Sequence, residues 1–250
     1  MEDFGYWMYV ISAVLILPAI IFALVAQWKV HSAFSEYSSV GSHRGVTAAS
    51  LARKLLDEND CGDVSIERTR GHLSDHYDPR KRVVRLSGEI HDSTSLAALG
   101  IAAHEVGHAI QHKTGYGPFR LRQIVIKSTR FVNVLIVPLI IISILASIFV
   151  TSATIFGFKS YDFFFGIIIA FCVLYGISFL INLITLPTEY NASSRAKEML
   201  SDTLLDEEEK RGVNKVLRAA ALTYVAGLVV SLVYLLRFLG LALMLAGRRK

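Results

Sequence analysis

The sequence contains four long stretches without a single charged side chain. They cover residues 4–28, 131–158, 163–188 and 219–236. Each of the first three exceeds the roughly 20 apolar residues that a helix needs to cross the hydrocarbon core of a bilayer. The fourth reaches that length only if it continues past Arg237 to Gly247, with Arg237 near an interface or inside a helix bundle. A soluble protein with buried helices would not contain such runs, so we predict a mainly α-helical, polytopic membrane protein with about four transmembrane helices.

The basic residues indicate how the chain is oriented in the membrane. Most of them lie between the first two apolar stretches, so the positive-inside rule predicts a cytoplasmic connection and an external N-terminus. The acidic start Met1-Glu2-Asp3 favours a retained anchor over a secretory signal peptide. Four simple crossings would leave Arg248-Arg249-Lys250 outside, which the positive-inside rule disfavours. The alternative is a last stretch that bends back near Gly227 or Gly240. The net charge of +5 thus reflects topology and lipid contact, and no nucleic-acid binding is expected.

The polar part after the first stretch predicts a small α+β portion. Its elements are a linker at 29–45, a helix at 46–59 capped by Thr47, a strand at 63–69, and hairpin strands at 73–77 and 82–87. His72, His76 and Asp78 invite a metal interpretation, but turn chemistry at Asp78-Pro79 favours a plain hairpin. Residues 206–212 are predicted to form a charged, solvated turn.

A further helix, predicted over 93–113 with Ser93 or Thr94 as its cap, contains the sequence HEVGH. His104 and His108 lie one turn apart and can present both imidazoles to one metal ion. Zinc accepts histidine nitrogens, and a catalytic zinc keeps one position open for water. Glu105 would act as the general base toward that water and pass the proton to the leaving amine. The pattern therefore predicts a catalytic zinc site.

A third protein ligand is required, and several residues are candidates. His112 lies one turn after His108 and is a spare, since one helix rarely supplies three ligands. Gln111 and Thr114 stand where a metzincin has glycine and histidine, which excludes that class. Asp162 would suit an intramembrane protease and is a weak alternative. An acidic residue after the third apolar stretch fits best: Glu189 is favoured, ahead of Glu198 and Asp202.

Four segments together resemble one family. They are "LSDHYDPRKRVVRLS", "AAHEVGHAIQHKTGY", "LPTEYNASSRAKEML" and "VLRAAALTYVAG". They are similar to the bacterial neutral zinc metallopeptidases of the membrane, of the YugP type. The resemblance covers nearly the whole chain and implies a gluzincin-like fold, similar in layout to the HtpX proteases.

The resemblance implies roles for further residues. The third gluzincin ligand opens an E-x-x-x-D pattern, which here reads from Glu189 to Ser193, so Glu189 carries over and Ser193 replaces the aspartate. No downstream histidine is available for the oxyanion, which leaves Tyr190, Arg195 and Tyr224 as candidates. The edge strand that binds an extended peptide would be residues 81–87.

Together these signals predict five regions. They are a transmembrane anchor at 1–28, an α+β zincin-like portion with the HExxH helix at 29–122, a transmembrane hairpin at 123–188, a helix with the third zinc ligand at 189–212, and a C-terminal transmembrane segment at 213–250. The expected activity is that of a zinc-dependent endopeptidase in the bacterial plasma membrane, with Zn²⁺ as cofactor, a protein or peptide as substrate, and its catalytic side in the cytoplasm. The alternative is a membrane scaffold or adaptor that modulates another membrane protein and holds a structural zinc, with His112 as the fourth ligand.

Overall fold

A computed structural model of the chain describes residues 2–71, 74–126, 134–135, 138–139, 141–142, 160–201 and 205–247. The described residues are mainly helical. Their elements are α1 (Glu2–Ser38), α2 (Ala48–Glu58), β1 (Ser65–Thr69), β2 (His76–Asp78), β3 (Val83–Ser87), α3 (Gly88–His91), α4 (Leu96–Lys113), α5 (Ser160–Ser201) and α6 (Glu207–Gly247). Residues 117–126 are also helical.

Three of the described helices are long and apolar enough to cross a membrane. They are Asp3–Ser38 in α1, Phe164–Leu200 in α5 and Glu207–Gly247 in α6. Each contains one of the predicted apolar stretches, as expected for an integral membrane protein. The predicted span at 131–158 falls, apart from a few positions, outside the described residues, so the count of four spans stays a prediction.

The chain divides into two compact units. The apolar unit consists of Met1–Ala23, Gln123–Leu183 and Ala226–Lys250, and the site unit consists of Leu24–Arg122 and Ile184–Val225. In the apolar unit, Arg237 donates a hydrogen bond to the Tyr9 hydroxyl at 3.0 Å, and its guanidinium lies 4.3 Å from the centre of the Tyr9 ring. The charge predicted inside the last apolar stretch is thus partly offset by a cation–π contact.

The core of the site unit is built around α4. Apolar side chains of α2 pack into the same cluster as α4, among them Leu51, Leu55 and Leu56, all with almost no exposed surface. Helix α2 begins as predicted, because the Thr47 hydroxyl accepts the backbone N–H of Ser50 at 3.3 Å. Residues of β3, α5 and α6 belong to the same cluster, so α4 is enclosed on several sides.

A three-stranded sheet in the order β1-β3-β2 lies beside this core. Strand β2 pairs antiparallel with β3, which confirms the hairpin, whereas β1 pairs parallel with β3. The prediction that residues 81–87 form an edge strand is therefore wrong. Strand β3 is central and has neighbours on both sides, so the edges of the sheet are β1 and β2.

Two predicted irregular segments are helical instead. Helix α1 continues to Ser38, into the predicted linker, because Phe34 and Tyr37 pack one turn apart against the core of the site unit. The predicted turn at 206–212 begins α6: Asp206 accepts the N–H groups of Glu208 and Glu209, both at 2.9 Å, and the Glu209 carboxylate accepts the Asp206 N–H at 2.9 Å. Acidic residues in this pattern form a capping box that starts a helix.

Candidate metal centre

Helix α4 places its two candidate ligands on one face. It starts at Leu96 with Ser95 as its cap, one or two residues after the predicted caps. His104 and His108 lie one turn apart, and their ring centres are 4.7 Å from each other. Gly107 lies between them and contacts the backbone of Ala192 on α5. The pattern of a histidine pair with a glycine therefore brings α5 against α4 at the level of the two imidazoles.

Glu189 of α5 meets both imidazoles. Its Oε2 lies 3.1 Å from His104 Nε2 and 3.7 Å from His108 Nε2, and the carboxylate is almost completely buried. One ligand atom from each of these three residues lies within 4.8 Å of the other two. Of the less favoured candidates, Glu198 is not a member of this group, and the side chains of Asp162 and Asp202 lie outside the described part of the chain.

The other nitrogen of each histidine is occupied. His104 Nδ1 lies 3.2 Å from the Ser193 hydroxyl, so the serine at the position of the gluzincin aspartate does reach this imidazole. His108 Nδ1 lies 3.0 Å from the side-chain oxygen of Gln111. The Gln111 amide nitrogen donates to the Thr188 carbonyl at 2.7 Å and to the Asn191 side-chain oxygen at 3.0 Å.

This network determines which nitrogen of a neutral His108 carries the hydrogen. The Gln111 amide N–H groups donate to α5, so the Gln111 oxygen must accept the hydrogen bond with His108. His108 Nδ1 must therefore donate it. In the neutral imidazole, His108 Nε2 then carries the lone pair and faces the Glu189 carboxylate, another acceptor, in a buried place. Two facing acceptors repel each other unless a cation lies between them, so the donor set fits a metal ion.

The charges around His104 also favour a cation. Burial acts to lower the pKa of this imidazole, but its hydrogen bond with Glu189 and the nearby Glu105 charge act more strongly, so the pKa is raised. The charges that would stabilise a proton here also stabilise a metal cation.

Glu105 lies beside the group and is held by a strand. It is buried, and its Oε2 accepts the backbone N–H of Tyr77 in β2 at 2.9 Å. It also lines a cavity of about 720 Å³ within the site unit, together with His104, Ser193 and Tyr224. Side chains of α1 and α6 form much of the remaining wall of this cavity. A carboxylate next to the candidate ligands thus opens onto a space large enough for a peptide segment.

His112 is engaged elsewhere. Its Nδ1 lies 2.8 Å from the Tyr77 hydroxyl. Burial raises the pKa of Tyr77 to about 12, so the phenol keeps its proton. Burial and the charges of Arg82 and Arg120 lower the pKa of His112, so the imidazole is neutral and accepts this hydrogen bond.

The hairpin residues do not form a ligand group among the described side chains. Asp78 accepts the backbone N–H groups of Arg80 and Lys81 at 3.0 and 3.3 Å, which is turn chemistry. His76 is exposed, and His72 lies outside the described residues. Another group that could hold a cation, His43 with Asp206 and Glu209, coincides with the capping box of α6.

The three oxyanion candidates differ in position. Tyr224 lines the cavity and its hydroxyl lies near the Glu189 carboxylate. Tyr190 is half exposed on α5. Arg195 donates to the Asn191 side-chain oxygen at 2.9 Å, so it supports the network that holds Gln111. Only Tyr224 of these three is among the residues that line the cavity beside Glu105.

Sequence reasoning missed Gln111 as a partner of His108 and Arg122 as a partner of Glu189. Arg122 Nη2 lies 2.9 Å from Glu189 Oε1. Gln111 was detectable in principle, because a polar residue three positions after a histidine shares its helix face. Arg122 offered no such signal, since the contact joins residues that are far apart in the chain.

Comparisons with known proteins identify the family of the chain. No solved structure matches the chain. A protein of Bacillus subtilis (strain 168) named "Putative membrane protease YugP" is 44% identical over 214 residues, which cover 85% of this chain and 88% of the relative. A family model with the description "Putative neutral zinc metallopeptidase" matches residues 12–243. With nearly its whole length matched, the chain belongs to this zinc metallopeptidase family.

Proposed function

We propose that the protein is a membrane-embedded endopeptidase in which His104, His108 and Glu189 hold Zn²⁺ and Glu105 is the general base. The observation that carries the proposal is the convergence of three ligand atoms beside a buried carboxylate that faces a cavity. The two histidines and the glutamate are the donor types that catalytic zinc uses.

Each protein group has a defined task in the proposed reaction. Bound zinc would supply Lewis-acid chemistry and lower the pKa of a water molecule to about 7. Glu105 accepts the proton of that water and returns it to the leaving amine. The Tyr77 N–H holds one Glu105 oxygen, which leaves the other oxygen for this work. Tyr224 is the candidate of choice for stabilising the oxyanion, because it lines the cavity.

The sheet suggests where an extended substrate would lie. The Tyr77 N–H points to Glu105, so the free edge of β2 faces the proposed site. We therefore move the substrate-binding role from β3 to β2, which has an unpaired side. Proteins with segments near the cytoplasmic membrane surface are the expected substrates, because the basic connection that carries the site is predicted to be cytoplasmic.

The alternative function, a scaffold with a structural zinc, requires a fourth protein ligand. His112 was the candidate, but among the described residues it is not a member of the ligand group, and its Nδ1 lies 2.8 Å from the Tyr77 hydroxyl. The buried carboxylate of Glu105 also has no purpose in a structural site. Both observations favour a peptidase.

The variant Glu105→Gln tests the mechanism. It keeps the shape of the side chain and removes the base, so we expect normal zinc content and a fall of about 10²- to 10⁴-fold in kcat. Zinc is measured by elemental analysis and cleavage by mass spectrometry of an unstructured protein substrate. Glu189→Ala is the matched ligand variant and should lower zinc content. Wild-type cleavage by Glu105→Gln would refute the role of Glu105, and unchanged zinc in Glu189→Ala would refute the ligand assignment.

A further inference from the structure

We propose that Arg122 is a positioning residue that holds one oxygen of Glu189 and so keeps the carboxylate from binding the metal with both oxygens. The inference rests on the proposed zinc site. The coordination state of that site can be measured without any peptidase activity.

The two oxygens of Glu189 face different neighbours. Oε2 faces His104 Nε2 and His108 Nε2 at 3.1 and 3.7 Å. Oε1 faces Arg122 Nη2 at 2.9 Å. The carboxylate is therefore divided between a metal-facing oxygen and an arginine-facing oxygen.

The contact is held by charge in a buried place. The Glu189 side chain is 2% exposed and the Arg122 side chain 18% exposed. Among the described residues, Glu189 Oε1 accepts no hydrogen bond, and the ion pair with Arg122 is its polar contact. A buried carboxylate oxygen without hydrogen bonds needs a counter-charge, and Arg122 is the permanently charged group that forms an ion pair with it.

Removal of that counter-charge has a defined consequence. Glu189 Oε1 would then find its nearest positive charge at the metal, and the carboxylate would supply two oxygens instead of one. A catalytic zinc site holds water in the open position beside three protein ligands, so a second carboxylate oxygen would raise the coordination number from four to five. The metal would be held at least as tightly, because an arginine that repels the cation has also been removed.

This sets Arg122 apart from a residue that only supports the fold. Loss of a merely structural residue, or of a group that orients a ligand, weakens metal binding, by about 10- to 100-fold for outer contacts. Loss of Arg122 should instead leave zinc affinity equal or higher, change the coordination of the metal, and lower kcat by about tenfold or more.

The experiment compares Arg122→Met with wild type as full-length protein in detergent micelles. Arg120→Met is the matched control, because Arg120 is an exposed arginine on the same helical segment. Zinc affinity is measured by competition with a chelating dye. The visible spectrum of the Co²⁺-loaded protein reports coordination number, since five-coordinate Co²⁺ absorbs more weakly than four-coordinate Co²⁺. Arg122→Lys keeps the charge and should restore the wild-type spectrum, and Arg122→Gln is a second neutral variant if the methionine variant does not fold.

We expect a weaker Co²⁺ spectrum with undiminished zinc affinity in Arg122→Met and no change in Arg120→Met. An unchanged spectrum in both neutral variants would overturn the inference, and so would a tenfold loss of zinc affinity. Failure of the proposed function would appear separately, as wild-type cleavage by Glu105→Gln, and would leave the spectra of the Arg122 variants interpretable.

Discussion

Replacement of Gly107 by alanine tests whether the crossing of α4 and α5 determines the geometry of the metal centre. A Cβ atom at position 107 would lie 2.7 Å from the carbonyl oxygen of Ala192 and 3.2 Å from its Cα. Both atoms belong to the backbone of α5, so no side-chain rotation can relieve the contact. Ordinary contact begins at 3.4 Å, which requires a separation of about 0.7 Å (3.4 − 2.7) between the two segments.

Two effects of opposite sign compete in this variant. Inside a helix, alanine is favoured over glycine by about 1 kcal/mol. Overpacking against a rigid neighbour costs about 1–3 kcal/mol. Because the contact is with backbone, we expect the second effect to win and the free energy of unfolding to fall by up to about 2 kcal/mol, the difference between the two effects. The shift is also larger than the roughly 0.2 Å tolerance of metal–ligand distances, so zinc affinity should fall by about 10- to 100-fold.

The assay measures thermal unfolding and chelator competition on detergent-solubilised protein. Gly100→Ala is the control on the same helix, since its Cβ would meet Cγ1 of Val213 at 3.1 Å, an atom of a side chain that can move. That variant should keep wild-type zinc affinity. If Gly107→Ala also keeps it, or unfolds at a higher temperature than wild type, the close approach of α5 at Gly107 does not exist and the reasoning fails.

Further predictions concern the partners of the centre and the start of α4. Gln111→Leu removes the acceptor of His108 and the donor to Thr188, so zinc affinity in the dye competition should fall by about 10- to 100-fold, and unchanged affinity would contradict the proposed tautomer. Ser95→Ala removes the cap of α4 and the hydrogen bond that the Ser95 hydroxyl accepts from Ser93, so thermal unfolding should show a loss of about 1 kcal/mol while zinc affinity stays at the wild-type value.

Local sequence patterns predicted the parts of the molecule that depend on neighbouring residues. The spacing of His104 and His108 placed them on one helix face, because helical periodicity is local. Thr47 marked the start of α2, and Asp78-Pro79 marked the hairpin, for the same reason. The capping box at Asp206 was equally local, and its interpretation as a turn overlooked the hydrogen bond that the Asp206 N–H donates back to the Glu209 carboxylate.

Other features depend on tertiary packing and carried no local signal. The central place of β3 follows from its parallel pairing with β1, which no turn connects to it directly. A backbone N–H is common to every residue except proline. The contact of the Tyr77 N–H with Glu105 could therefore not be inferred from residue types. Arg122 also carried no local signal, because its role is evident only once the buried oxygen of Glu189 has been located.

The arrangement of α4 and α5 explains how a polar centre persists in this apolar protein. His104 lies between two residues of α5 that are one turn apart: its Nε2 faces Glu189 and its Nδ1 faces Ser193. Both sides of the imidazole are thus held by one rigid helix, and no loop is needed to orient it. The charges also balance in pairs, since Arg122 offsets Glu189 before any metal binds. At the proposed site, the remaining carboxylate, Glu105, is held by a backbone N–H rather than by an opposite charge. In the proposed mechanism this difference leaves Glu105 as the proton acceptor, whereas the Glu189 carboxylate contacts Arg122 and the two histidines.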